Sequence, residues 1–82
     1  MGSAKKETTT EWKYIKDSGI WWRVIVDGID EHRALWRLSV RCCSPTHGLY
    51  AARVFCNGNL WNESRDFETV YKAMDWAVEQ VV

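Results

Sequence analysis

Residues 35–43 read LWRLSVRCC, and how they are read decides the fold. Trp36, Leu38, Val40 and Cys42 alternate with Arg37, Ser39 and Arg41. That is the period-2 pattern of a strand with one buried face and one wet face. Residues 20–26 and 49–56 repeat it and can pair on either side. The expected fold is therefore a small α+β domain. It has an antiparallel sheet of three to four strands plus a hairpin extension, with one C-terminal helix packed on one face.

Register follows from the apolar sets. If Ile20, Trp22, Val24 and Val26 point inward, Val26 meets Trp36, Val24 meets Leu38 and Trp22 meets Val40. The reverse face then carries Trp21 beside Arg41, Arg23 beside Ser39 and Ile25 beside Arg37. A slip of one residue would turn every side chain to the other face, so the pattern is expected to set the parity. On residues 49–56 the same counting buries Tyr50, Ala52, Val54 and Cys56 and turns Arg53 and Phe55 outward.

The flanking segments complete the chain. Residues 1–10 are small, polar and charged, and are expected to form a disordered tail ahead of a single domain over 11–82. Residues 11–16 can supply an edge strand, with Lys13 and Lys16 discouraging further pairing. The polar run of Asp30, Glu31, His32 and Arg33 reads as a hairpin loop or one short helical turn. Asn57-Gly58 is a strong hairpin signal. A two-residue turn puts Trp61 on the core side, and a three-residue turn puts Leu60 there. Trp61 is favoured for its area, although Glu63 would share its face. A helix over 67–81, capped by Ser64 or Asp66, shows an apolar face of Phe67, Val70, Tyr71, Met74, Ala77, Val78 and Val81. Trp76 points away from that face, toward Lys72, Glu79 and Gln80, as an exposed aromatic unless the tail covers it.

Composition narrows the functional classes. Eleven basic and eleven acidic residues cancel, which argues against a wholly basic surface but permits a local patch. No apolar run suits a membrane span or a secretory signal, so a cytoplasmic location is expected. Three cysteines cannot form a fully internal disulfide set. They read as reduced thiols, and no metal or cofactor is expected, because Cys42 or Cys43 with His47 lacks the usual ligand spacing. No histidine is placed to activate Ser39, and the five glycines fall in the tail or in turns. A non-catalytic protein with no small-molecule substrate is expected.

The feature with direction is the sheet's wet face. In the register above, Arg23, Arg37, Arg41 and Arg53 line up with Trp21, Ile25 and Phe55. Asp66, Glu68, Asp75 and Glu79 gather toward the helix. Guanidinium groups pair with phosphates or base edges, and rings stack on bases, so nucleic acid is the lead partner. The alternative is an acidic protein partner, since arginine and tryptophan are also frequent interface anchors. Trp76 is a candidate anchor for a homodimer on the helix side. A partnerless reading has the arginine stems shielding the sheet, with Arg41 over Trp21 as a cation–π pair.

The stretch RVFCNGNLWNESRDFETVYKAMDWA, residues 53–77, loosely resembles the end of DNA-binding domains built from three strands and a helix. Plant transcription-factor domains and the arm-binding domains of phage integrases have this build. The shared pieces are a strand, a glycine hairpin, then Phe67 and Thr69 leading to Ala73 and Ala77 on the helix. The resemblance implies DNA contact by the sheet at Arg37, Arg41 and Arg53. Phage or mobile-element accessory proteins, including inhibitors of host proteins, are similar in size and aromatic content.

Overall fold

A computed structural model describes residues 8–9, 11–27 and 34–81. The strands are β1 (Thr8–Thr9), β2 (Lys13–Ile15), β3 (Ile20–Asp27), β4 (Ala34–Ser44), β5 (Leu49–Cys56) and β6 (Asn59–Phe67), followed by helix α1 (Val70–Glu79). They form one antiparallel sheet in the order β1-β3-β4-β5-β6, and β2 also pairs with β3. The α+β architecture and the central place of residues 35–43 are as the alternation predicts. Residues 13–15 do join as an edge strand. Thr8 and Thr9, expected in the tail, pair with Val26 and Ile25. The rest of the expected tail, residues 1–7 and 10, and the polar run 30–33 lie outside the described residues.

The helix covers β4, β5 and β6. Ala73, Met74 and Ala77 join Ile25, Trp36, Leu38, Val40, Ala52 and Val54 in the core. Leu38, Val40 and Val54 are sealed from solvent, and burying each contributes about 1.5–3 kcal/mol. Alanine at positions 73 and 77 removes side-chain bulk where the helix meets the sheet.

Three expectations are corrected here. The first is register: Arg23 faces Leu38, Ile25 faces Trp36 and Trp21 faces Val40. Compared with the expected pairing, β3 is shifted by one residue, so Trp21, Arg23 and Ile25 lie on the helix side. Ile20, Trp22, Val24 and Val26 lie on the open side. Both faces of IWWRVIV are apolar enough to be covered, so alternation alone does not choose between them. Trp21 stacks at a tilt on Tyr14, with ring centroids 4.8 Å apart. This contact, rather than Arg41, is its aromatic partner.

The second correction is the helix. β6 runs on to Phe67, which pairs with Tyr50, and the helix starts only at Val70. Thr69 is the cap, its Oγ1 accepting from the Lys72 amide at 3.1 Å. At 100° per residue the buried face centres near Ala73 and Ala77, leaving Tyr71 73% exposed. Trp76 is thereby half-buried against the core, its ring 5.9 Å from that of Phe67. It is no exposed anchor.

The third concerns Cys42, which is exposed although it was expected to point into the core. It sits where the β4–β5 register shifts, between Cys42 and Ser44.

The corrected parity has a measurable consequence. Ile25→Ala is expected to cost about 2–5 kcal/mol in urea unfolding, and Val24→Ala only about 1 kcal/mol or less. The inverse order would restore the pairing of Val24 with Leu38.

Candidate binding face

The open side of the sheet is built in rows by the strand register. One row runs Lys13, Trp22, Ser39, Arg53, Glu63 across β2 to β6. Beside it lie Val24, Arg37, Phe55 and Leu60. On the other side lie Ile15, Ile20, Arg41 and Ala51. Arg37, Arg41 and Arg53 therefore share one face with Phe55, as the sequence reading expects. Arg23 and Trp21 do not: the one-residue shift places them on the helix side. Trp22 takes the aromatic position that was assigned to Trp21.

Arg65 is a member that sequence reasoning missed. Asn57 (φ 51°) and Gly58 (φ 88°) make a two-residue turn, with Cys56 facing Asn59 and Phe55 facing Leu60. Straight alternation from that turn would bring Arg53 to Asn62 and send Arg65 to the helix side. Instead a bulge at Trp61 pairs Val54 with Asn62 and Arg53 with Glu63. The bulge separates Trp61 from Glu63. Trp61 meets Trp36 edge-on at 5.4 Å on the helix side while remaining 55% exposed. Glu63 turns to the open side, where its Oε1 lies 3.2 Å from Arg53 Nε. Arg65 then lines a concavity with Arg41 and Arg53. The sequence signal was the conflict between a core Trp61 and a charged Glu63 two residues on, which a bulge resolves.

Two concavities mark the face. The larger, about 750 Å³, is lined chiefly by Ile15, Trp22, Arg37, Ser39 and Phe55. The smaller, about 300 Å³, is lined by Arg41, Ala51, Arg53, Glu63, Ser64 and Arg65. Arg37, Arg41 and Arg65 are exposed, and among the described residues none of them forms an ion pair with a carboxylate. The first concavity is chiefly aromatic and apolar, with Arg37 on the open face and Arg23 also at its lining. The second is dominated by guanidinium groups.

The remaining candidates separate from this face. His47 Nδ1 lies 3.1 Å from Ser44 Oγ within the β4–β5 turn. Among the described residues, no group of three or more His, Cys, Asp or Glu side chains is placed to hold a metal. Nor is any helix of the described residues long and apolar enough to cross a membrane. The chain matches no protein-family model, no curated protein and no solved structure at a significant level. The likeness of residues 53–77 to sheet-reading DNA-binding domains therefore carries no family assignment.

Arg23 Nε is buried without a hydrogen-bond partner. An unmet buried donor opposes folding by about 1–3 kcal/mol. Arg23→Met keeps the packing stem and removes that donor. It is expected to leave stability unchanged or raise it by about 1 kcal/mol in urea unfolding. A loss of several kcal/mol would mean that the guanidinium is anchored in the fold.

Proposed function

We propose that this protein is a non-catalytic module that binds single-stranded nucleic acid on the open face of its sheet. The observation that carries the reading is the convergence of Arg37, Arg41, Arg53 and Arg65 on one face with half-buried Trp22 and Phe55. Cations along such a face track a phosphate backbone, and aromatic rings offer stacking platforms that accept any base. Trp22 and Phe55 stand on β3 and β5 with β4 between them, so about 10 Å separates their strands. Unstacked bases of a single strand can reach both rings. A duplex keeps its bases stacked inside, out of reach of these rings.

The acidic helix residues support the same polarity. Glu68, Asp75 and Glu79 are exposed on or beside α1, which packs on the opposite side of the sheet. A net charge of zero thus coexists with a face that attracts polyanions.

The second reading is a protein partner on this same face. It is favoured by Ile15, Leu35 and Leu60, which are 44%, 41% and 53% exposed. Exposed aliphatic groups gain from burial against a protein and little from a phosphate backbone.

Titration of mixed-sequence single strands by fluorescence anisotropy at several salt concentrations separates the two. With the three uncompensated arginines Arg37, Arg41 and Arg65 engaged, log K should fall against log salt with a slope of about −2.1. Arg37→Gln should reduce that slope by about 0.7 and weaken binding to all sequences alike. Absence of binding at low salt would exclude nucleic acid and leave the protein partner.

A further inference from the structure

The smaller concavity differs in kind from the aromatic groove, and the difference points to a distinct ligand group. Its basic side chains are Arg41, Arg53 and Arg65, and its acidic side chain is Glu63. Glu63 holds Arg53 through Nε, which orients that guanidinium and cancels one charge. The remainder is two uncompensated guanidinium groups around a floor formed by Ala51, whose neighbour Ala52 turns to the core, with the half-buried Ser64 bordering it. The small Ala51 side chain leaves room above the sheet, and the arginines bring planar donor forks suited to phosphate oxygens.

Charge decides which phosphate fits. A phosphodiester inside a strand carries one negative charge, whereas a phosphate monoester carries about −1.5 to −2 near neutral pH. Two unpaired guanidinium groups match the monoester. Position agrees: Arg41 is two residues along β4 from Ser39, about 7 Å beyond the row that holds Trp22. The concavity therefore adjoins the base-stacking groove at the end of the face where Ile20, Arg41 and Ala51 lie.

Building on the single-strand reading, we propose that Arg41, Arg53 and Arg65 form a pocket for the terminal phosphate of a nucleic-acid strand whose bases lie on Trp22 and Phe55. The chemical class recognised is a phosphate monoester. Glu63 holds Arg53 in place as a positioning residue.

The test uses the full chain and oligothymidylates about ten nucleotides long. One carries a 5′-phosphate, one a 3′-phosphate, and one has hydroxyl groups at both ends. Phosphate on one of the two ends is expected to tighten binding about tenfold. That advantage should shrink below about pH 6, as the monoester takes up its second proton. Arg65→Gln should abolish the advantage, so that phosphorylated and hydroxyl-ended strands bind alike, and should also lower the salt slope for the hydroxyl-ended strand by about 0.7. Inorganic phosphate should compete away the advantage and leave the hydroxyl-ended strand bound, which sets a strand end apart from free phosphate as the ligand. Equal affinity for all three strands would overturn the pocket and leave the single-strand reading standing. If no strand binds at low salt, both fall.

Discussion

The structure depends on the burial of Leu38, Val40 and Val54 on one side of the sheet, where α1 brings Ala73, Met74 and Ala77. One helix covers one face, and the other face is left open. The alanines let the helix approach, and the capped start at Thr69 places it. Side chains on β5 and on residues 35–41 of β4 are then assigned by parity. The core side buries Trp36, Leu38, Val40, Ala52 and Val54, and the reverse side carries Arg37, Arg41 and Arg53.

The bulge at Trp61 is the second organising element. It absorbs one residue on β6 and reverses the facing of residues 62–65, until a second shift near Asp66 (φ 69°) brings Phe67 back opposite Tyr50 on the helix side. A large indole goes to the helix side against Trp36, and a carboxylate goes to the open side against Arg53. Arg65 follows to the open side. Two irregularities of backbone pairing on β6 thus complete the hydrophobic side and the charged side together.

The open face is more apolar than a surface shaped only by phosphate attraction. Trp22, Val24 and Phe55 surround Arg37, and exposed aliphatic groups lie at Ile15, Leu35 and Leu60. Such surroundings strengthen the guanidinium's interactions by lowering the local dielectric. They also supply stacking surface beside the charge. The face therefore combines two kinds of contact, with the guanidinium-rich concavity at one end and the aromatic groove beside it.

By itself the sequence determined the fold class, the central strand and the outward setting of Arg37, Arg41, Arg53 and Phe55. Those residues sit on strands whose alternation admits one inward set: Trp36, Leu38 and Val40 on β4, and Ala52 and Val54 on β5. It also fixed the existence of the C-terminal helix, because an apolar stripe at helical spacing must be covered. Tertiary structure decided the rest wherever local patterns were two-sided. In β3 both faces are apolar, so contact with Tyr14 and the pairing with β4 chose Trp21, Arg23 and Ile25 for the helix side. In β6 a bulge that alternation does not display brought in Arg65. In the helix, Phe67 was claimed by β6, which rotated the buried stripe toward Ala73 and drew Trp76 against Phe67. Residues 35–41 read correctly because only one of their faces could be buried, whereas those three elements could each satisfy hydrophobic burial in more than one way.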